Sequence, residues 1–425
     1  MVANDETDLT EGEIRSVAFL HCDRHPFQWK VETMTNRYWT LILTSFAITY
    51  LVTSAFAASQ KTLYSFTATR GDGAYPYAGV VFDSAGNLYG TTKYGGPSGD
   101  GIVFELSPNP DGSWSEKVLH EFHWTDGAHP QASLIFDGSG NLYGTTVYGG
   151  TNGRGTVFEL SPIAGGWTER VLYNVGGHPS GPLIFDSSGN LYGTTLGLPG
   201  FGAVFELSPE ADGTWSETIL CNFAEGLGDK ENGWNPYSGL VFDAAGNLYG
   251  TTSSGGGHGD GSVFELTPSP DGTWTETLLV HASFIHGGGP YDGLILDAAG
   301  NLYGTNSYGG AHNAGTVFRL SPVEGGGWTP ETLFDFSGAN GQDPHASLII
   351  GPGGHFYGTT EEGGANDTGT VFELTQNPKG EWVEGYFSLS GDPAGSLIFD
   401  AEGNAYGTTI FGGIYGAGSV FEIIP

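Results

Sequence analysis

The feature that most constrains this chain is a stretch of sequence that returns about every fifty residues. One copy, from Ser133 to Val175, reads SLIFDGSGNLYGTTVYGGTNGRGTVFELSPIAGGWTERVLYNV. Its Asn-Leu-Tyr-Gly core recurs, twice in altered form, at Asn87, Asn141, Asn190, Asn247, Asn301, His355 and Asn404. Successive cores are 54, 49, 57, 54, 54 and 49 residues apart. Repeats of this length that hold several short strands are typical of propeller blades rather than of helical repeats.

Each copy contains four predicted strands, a to d. In the copy above they span Ser133 to Phe136, Asn141 to Thr146, Thr156 to Leu160, and Trp167 to Tyr173. The Asp-x-x-Gly-Asn between a and b predicts a hairpin, because Gly and Asn accept left-handed backbone angles. The sequence therefore predicts an all-β fold, a seven-bladed β-propeller of four-stranded antiparallel blades.

The two ends of the repeat region predict how the ring closes. The seventh copy stops at Pro425 after strand c, and it lacks the Trp-containing strand d. Lys61 to Phe66 (KTLYSF) resembles the second half of a strand d. We expect this N-terminal strand to complete the last blade, which would remove the free sheet edges of an open array.

A phenylalanine recurs in every strand c, and we expect these rings to fill the spaces between blades. They are Phe104, Phe158, Phe205, Phe264, Phe318, Phe372 and Phe421.

The first sixty residues differ from the repeats. Residues 1–33 form a polar extension, and Met34 is a candidate for the true start. Residues 34–57 have the pattern of a secretory signal peptide, with Arg37, an uncharged run and the small-residue site Ala55-Phe56-Ala57. The run is almost long enough for an uncleaved anchor helix, so both alternatives stand. We expect residues 61–425 to form the propeller of a secreted or periplasmic protein that has no membrane attachment after cleavage.

Charge limits the partners of the chain. The formal net charge is −34, with 47 acidic residues against 13 Lys and Arg. Such a surface repels nucleic acid and anionic lipid, because phosphate binding requires clustered basic residues. Only Cys221 remains once the N-terminal segment is removed, so an exported form has no internal disulfide. We expect a monomer.

The pattern LIFD-x-x-GNLYGTT-x-x-GG followed by GTVFELSP resembles the tandem repeat of the GloVer (Gloeo-Verruco) family of exported bacterial proteins. The resemblance covers nearly all of residues 61–425. It implies an exported β-propeller. The family brings no established activity, so no catalytic residue is carried over.

The predicted ligand face carries the variable b–c loops and the d–a links, since function concentrates on variable loops held by a rigid scaffold. Each link contains one proline just before strand a: Pro76, Pro130, Pro179, Pro236, Pro290, Pro344 and Pro393. We expect the next residue to point toward the mouth of the channel. These residues are Tyr77, Gln131, Ser180, Tyr237, Tyr291, His345 and Ala394.

Aromatic rings beside a few polar groups favour a sugar or another flat polar ligand. The predicted ligand-binding residues are Tyr77, Trp124, His129, Trp234, Tyr237, Tyr291, Asp292 and His345. Three hypotheses remain open: binding of an extracellular glycan, a carbohydrate-active hydrolase or lyase that uses Asp292 and His345, and a scaffold that contacts an envelope protein. No recognisable catalytic motif decides enzyme status.

The sequence predicts no cofactor. Histidines in the loops show no short spacing such as HxH or HExxH, so no metal site is predicted. The turn aspartates offer one carboxylate each, whereas calcium requires six or more oxygens, so calcium is not supported. The glutamates of strand c, with Arg319 at the fifth place, are interpreted as a repeated surface position.

Overall fold

The chain folds into short antiparallel sheets joined by tight turns. The structure is a computed structural model that describes residues 58–197, 201–223, 233–283, 287–393 and 395–425. Within these ranges there is no α-helix, and one 3₁₀ turn spans Pro352–Gly354. Seven four-stranded sheets form a ring, so the predicted seven-bladed β-propeller is confirmed.

The strands of the described residues are numbered in chain order. The first two are β1 (Ser59–Ser65) and β2 (Gly73–Ala74). Blade 1 and its loop contain β3 (Val81–Phe82), β4 (Leu88–Thr92), β5 (Tyr94–Gly95), β6 (Ile102–Pro108) and β7 (Trp114–Glu121). Blade 2 contains β8 (Ile135–Phe136), β9 (Leu142–Thr146), β10 (Thr156–Ile163) and β11 (Gly166–Asn174). Blade 3 and its link contain β12 (His178–Pro179), β13 (Ile184–Phe185), β14 (Leu191–Leu196), β15 (Ala203–Pro209) and β16 (Trp215–Asn222).

The remaining blades repeat this plan. Blade 4 contains β17 (Val241–Phe242), β18 (Leu248–Thr252), β19 (Ser262–Pro268) and β20 (Trp274–His281). Blade 5 contains β21 (Ile295–Leu296), β22 (Leu302–Asn306), β23 (Thr316–Pro322) and β24 (Trp328–Asp335). Blade 6 contains β25 (Ile349–Ile350), β26 (Phe356–Thr360), β27 (Thr370–Gln376) and β28 (Trp382–Ser388). Blade 7 contains β29 (Ile398–Phe399), β30 (Ala405–Thr409) and β31 (Ser419–Ile424) together with β1.

Blade 2 shows how the predicted strands compare with the observed ones. Strands β8, β9, β10 and β11 lie side by side in that order, as the four predicted strands require. The innermost strand is shorter than predicted, because only Ile135 and Phe136 pair with the next strand. Ser133 instead lines a cavity at the ring centre. The residues before the innermost strand therefore form the wall of the channel.

The turn between strands a and b is organised by its aspartate. Asp137 Oδ1 accepts hydrogen bonds from the N–H groups of Ser139 (2.8 Å) and Asn141 (2.9 Å). Its Oδ2 accepts a third bond from Asn141 Nδ2 (2.8 Å). Asparagine bonds of the same kind hold the turns of Asp83, Asp186, Asp243, Asp297 and Asp400. These contacts support the predicted hairpins.

The core lies between blades, as predicted from the strand c phenylalanines. Phe158 has no exposed surface, and its ring lies 5.1 Å from that of Phe122, which follows the last strand of the preceding blade. Six of the seven strand c phenylalanines are fully buried, and the seventh, Phe318, is 8% exposed. The buried clusters contain residues from two successive blades, so each blade buries its apolar faces against its neighbours.

The ring closes through the N-terminal strand, as predicted. Strand β1 pairs antiparallel with β31, from Ser59 opposite Ile424 to Ser65 opposite Ser419. Lys61 Nζ also lies 3.5 Å from Glu422 Oε2. The last blade therefore contains strands from both ends of the repeat region.

Two predictions concern residues outside the described ranges. The extension 1–33 and the signal segment 34–57 belong to this part of the chain. Within the described ranges, no helix is long and apolar enough to cross a bilayer.

Candidate functional site

In five blades, the link that enters the blade is held by backbone hydrogen bonds to the preceding blade and to its own blade. In the link to blade 2, the N–H of His129 donates to the Asp100 carbonyl of the preceding blade (2.7 Å). The His129 carbonyl accepts the N–H of Val147 in its own blade (3.3 Å). Equivalent pairs of bonds hold Tyr75, Asn235, Gly289 and Asp343. The loop face is therefore a tied scaffold and not a set of independent loops.

These five residues share an unusual conformation. Each precedes a link proline and has a positive φ: Tyr75 57°, His129 56°, Asn235 59°, Gly289 60° and Asp343 58°. Left-handed angles are costly for residues with a Cβ atom, and strained backbone of this kind gathers at binding and catalytic sites. The proline, with its fixed φ, then leads the chain toward the ring axis.

The residues after the link prolines line one cavity of about 380 Å³ at the ring centre. The structure brings together Tyr77, Gln131, Ser180, Tyr237, Tyr291 and His345. The seventh predicted residue, Ala394, and the loop residue His286 lie outside the described ranges. A cavity of this size, in which aromatic rings alternate with polar groups, has the composition of a small-molecule site.

Three of these side chains form a continuous arc. The ring of Tyr237 lies 5.4 Å from that of Tyr291, and the ring of Tyr291 lies 4.8 Å from that of His345. In blade 1, Lys93 Nζ lies 4.4 Å from the centre of the Tyr77 ring, a cation–π contact. The arc offers flat faces to a ligand, and the lysine places a cation beside Tyr77, which lines the same cavity.

Asp292 is the ionisable group deepest in the cavity. Its Oδ1 accepts a hydrogen bond from Ser347 Oγ (3.1 Å), whereas its Oδ2 is out of contact with solvent and has no hydrogen-bond partner. Burial raises the pKa of Asp292 to about 7, although the charge of His345 and the bond from Ser347 oppose the shift. Ser180 Oγ, on the same cavity wall, is also buried without a partner. Buried polar atoms of this kind require an explanation, and a bound ligand supplies one.

His345 is held between two carboxylates. Its Nε2 lies 3.1 Å from Asp343 Oδ1, and its Nδ1 lies 3.3 Å from Glu361 Oε2. Burial alone would lower the pKa of His345, but the hydrogen bond and charge of Asp343, together with the charges of Glu361 and Asp292, outweigh it and raise the pKa. The imidazole is thus favoured in its charged form, and both nitrogens donate to fixed acceptors.

Sequence reasoning missed Lys93 and Glu361. Both occupy the first position after the Gly-Thr-Thr of strand b, where the other copies have Val147, Leu196, Ser253, Ser307 and Ile410. A comparison of this position across the copies would have found them, because they are its only charged residues. Their backbone N–H groups donate to Tyr75 and Asp343, the strained link residues, which fixes both side chains at the channel mouth.

The other predicted ligand-binding residues lie away from this cavity. Trp124 stacks on Tyr148 with ring centres 6.5 Å apart, and it is 51% exposed. His129 packs between Tyr94 and Tyr148 (4.7 and 5.5 Å). Trp234 packs against Phe201 (4.8 Å). These rings form an outer belt on the loop face and do not line the central cavity.

Two further sets of carboxylates have structural partners. Both oxygens of the turn aspartates accept hydrogen bonds within their turns, as Asp137 shows, so the turns explain these residues. The strand c glutamates were interpreted as a surface position, but they are half-buried or buried. Glu373 and Glu422, for example, accept hydrogen bonds from the hydroxyls of Tyr357 (2.6 Å) and Tyr406 (3.0 Å) on strand b.

The repeats match one family model over almost the whole described chain. The model for the Gloeobacter/Verrucomicrobia repeat matches residues 47–241 and again residues 235–425. The chain belongs to this family. The sequence resemblance to the Gloeobacter/Verrucomicrobia repeat is therefore confirmed.

Solved structures extend the comparison for the fold. A putative 6-phosphogluconolactonase from Bacteroides uniformis is 15% identical, with a TM-score of 0.50, and the match covers 73% of this chain and 84% of that one. A protein from Lactobacillus plantarum is 14% identical (TM-score 0.53; 76% and 88% covered). An ancestral GH74 enzyme is 14% identical (TM-score 0.54; 83% and 48% covered). No curated protein sequence matches this member of the Gloeobacter/Verrucomicrobia repeat family.

Proposed function

We propose that this protein is an exported propeller that binds an extracellular glycan at its central cavity. The observation that carries the proposal is the arc of Tyr237, Tyr291 and His345 beside two unpartnered polar atoms, Asp292 Oδ2 and Ser180 Oγ. A sugar ring presents an apolar C–H face to aromatic rings and hydroxyl groups to buried acceptors. Export rests on the signal pattern of residues 34–57.

The charges at the channel mouth further define the ligand. Asp292 lines the cavity, Asp343 and Glu361 flank His345, and Lys93 lies over Tyr77, so carboxylates outnumber cations among these residues. An anionic polymer would be repelled by these carboxylates. A neutral glycan is therefore the ligand class that the cavity favours.

Binding is tested with a panel of neutral and acidic oligosaccharides on an array, followed by calorimetry on each positive ligand. Loss of stacking in the double variant Tyr237→Ala plus Tyr291→Ala should weaken binding by roughly 1–3 kcal/mol, about 5- to 150-fold. Tyr386→Ala is the matched control, because Tyr386 is an exposed tyrosine (42%) on the outer strand β28, far along the blade from the channel. No binding on the array, or equal binding by the double variant, would contradict the proposal.

One observation favours a second candidate, a carbohydrate-active hydrolase or lyase. A carboxyl group whose pKa is raised to about 7 remains partly protonated at neutral pH, as a general acid must. His345, with its raised pKa, is the nearby partner. Release of new reducing ends or unsaturated products that Asp292→Asn abolishes would establish the enzyme. Binding that leaves the glycan intact supports the binding protein.

A further inference from the structure

The outer strands of neighbouring blades meet at seams, and each seam is built around one repeated position. Two residues after its tryptophan, strand d carries a glutamate in five blades: Glu116, Glu169, Glu217, Glu276 and Glu384. Each is partly buried against the preceding blade. The residue that faces it stands six positions after the tryptophan of that blade, as with Tyr173, which hydrogen bonds to Glu217, and Cys221, whose Sγ lies 3.4 Å from Glu276 Oε2.

The seam between blades 1 and 2 departs from this plan. The facing residue is His120, and Asp126 of the following link joins it. His120 Nε2 lies 3.4 Å from Asp126 Oδ2. One ligand atom each from His120, Asp126 and Glu169 lies within 4.8 Å of the others. One imidazole and two carboxylates from two blades therefore meet at one point.

One of the polar atoms at this point has no partner. Glu169 Oε1 is buried without a hydrogen bond, and buried His120 Nε2 has Asp126 Oδ2 as a distant neighbour at 3.4 Å. Asp126 Oδ1 accepts the N–H of His123 (2.8 Å), which leaves Oδ2 facing the histidine. Burial of the unpartnered glutamate oxygen is costly, because it loses water without gaining a replacement. The second His/carboxylate cluster differs, since both nitrogens of His345 are already paired with carboxylates.

We propose that His120, Asp126 and Glu169 bind a divalent metal ion of the zinc class across the seam between blades 1 and 2. Imidazole nitrogen and carboxylate oxygen are the ligands that Zn²⁺ accepts, at roughly 2.0–2.2 Å. The three ligand atoms, now within 4.8 Å of one another, must move closer together to share such an ion. The backbone N–H of His123, bonded to Asp126 Oδ1, orients the carboxylate in the manner of an outer-shell partner.

Binding at this point has a mechanical consequence. The ligands come from strand β7, the link after it and strand β11, so the metal joins the outer strands of blades 1 and 2. A ligand that binds the folded ring and not the unfolded chain stabilises the ring. No sequence motif indicated such a site, because the three residues are not at a short spacing and come from two copies of the repeat.

The test uses the full-length protein after treatment with EDTA. ZnCl₂, MnCl₂ and CaCl₂ are titrated in by calorimetry, the melting temperature is recorded with each ion, and CoCl₂ provides a visible spectrum of the bound site. His120→Tyr and Glu169→Gln are the test variants. The first introduces the residue that the seams of Tyr64 and Tyr173 already contain, so it should fold. Glu217→Gln at the next seam and His345→Ala in the central cavity are the controls.

We expect one Zn²⁺ per chain, a higher melting temperature with Zn²⁺ than with Ca²⁺, and a cobalt spectrum with nitrogen and oxygen ligands. Both test variants should bind at least about tenfold more weakly, and both controls should bind as the natural protein does. Three results would overturn the proposal. They are absence of Zn²⁺ binding, loss of binding in His345→Ala, and an affinity of His120→Tyr and Glu169→Gln for Zn²⁺ equal to that of the natural protein. Folding of every variant is checked by circular dichroism.

Discussion

At the scale of single residues, carboxyl groups have lowered pKa values in the turns between strands a and b and raised pKa values at the seams between blades. Burial would raise the pKa of the turn aspartates, but hydrogen bonds outweigh it, and for Asp137 the bonds from Asn141 and Ser139 lower the pKa. At the seams, burial dominates and raises the pKa of Glu116 to about 7 and that of Glu384 to about 8. The number of hydrogen-bond donors around a carboxylate therefore decides the sign.

These shifts predict how stability depends on pH. The aspartates have pKa values below the ordinary 3.8, so their contribution is present above that value and is lost as pH falls through the folded pKa. The seam glutamates have pKa values above 4.5, so their contribution is present below 4.5 and is lost as pH rises through about 7 to 8. We therefore expect the highest melting temperature above the folded pKa of the aspartates and below the folded pKa of the seam glutamates, about 7 to 8. Differential scanning fluorimetry from pH 3 to 9 measures it.

A variant isolates the seam contribution. Glu384→Gln mimics the neutral carboxyl and should reduce the fall in melting temperature between about pH 5 and pH 8. Glu381→Gln, in the exposed turn before the same strand, is the control and should leave the fall unchanged. A melting temperature that rises steadily from pH 5 to 9 would show that the seam glutamates are not the controlling groups.

At the scale of elements, the seams differ in how well they are filled. In four of them a phenylalanine after strand d lies 5.0–5.1 Å from the strand c phenylalanine of the next blade: Phe66, Phe122, Phe223 and Phe336. In the seam between blades 4 and 5 this position is Ala282. A cavity of about 140 Å³ lies there, lined by Ala282, Phe318 and Pro330 among others. Phe318 is also the one strand c phenylalanine with exposed surface (8%).

Filling this cavity should stabilise the protein. Ala282→Phe restores the side chain that four other seams use, and cavity filling of this kind commonly adds about 0.5–2 kcal/mol. Chemical denaturation and the melting temperature measure the change. Phe122→Ala makes the reverse change at a filled seam and should cost about 3–5 kcal/mol. A loss of stability in Ala282→Phe would mean that the seam between blades 4 and 5 has a different packing from the others.

The elements also show what the sequence could predict. Strand order, the Asp turns and the buried phenylalanines were predictable because seven copies repeat them with the same chemistry. The left-handed residues were not, since Tyr75 and His129 lack the Gly or Asn that usually marks such angles. The residues that line the central cavity follow the link prolines, whereas Trp124 and Trp234 lie outside its lining, because nothing in a single link says how far a ring lies from the axis. The ligand-binding role of all these residues stays a prediction.

At the scale of the whole molecule, the ring depends on one strand from a distant part of the chain. Strand β1 supplies the outer edge of blade 7, and Phe66, which follows it, is buried against Phe104 of blade 1. Gln60 Oε1 accepts hydrogen bonds from the N–H and the hydroxyl of Ser390, which lies between blade 6 and blade 7. The segment from Gln60 to Phe66 thus contacts blade 1 on one side of blade 7 and the link from blade 6 on the other.

Removal of residues 61–67 should therefore lower the melting temperature sharply and promote aggregation through the exposed edge of β31. The loss of Phe66 alone should cost about 3–5 kcal/mol. Thermal melting and size-exclusion chromatography measure both effects. Lys61→Ala is the control, because it removes the ion pair with Glu422 but keeps strand β1 and Phe66, so it should lower the melting temperature far less. An unchanged melting curve after the deletion would contradict closure by this strand.

The pairing of β1 with β31 also delays the closure of the ring during biosynthesis. Among the strands of the ring, β1 is translated first and its partner β31 is translated after the others. At ordinary elongation rates the early strand waits on the order of tens of seconds for that partner. During this delay the edge of β1 has no partner strand, and unpaired edges promote aggregation. A chain truncated within the last repeat would form six blades and leave two unpaired strand edges, so we expect it to be degraded.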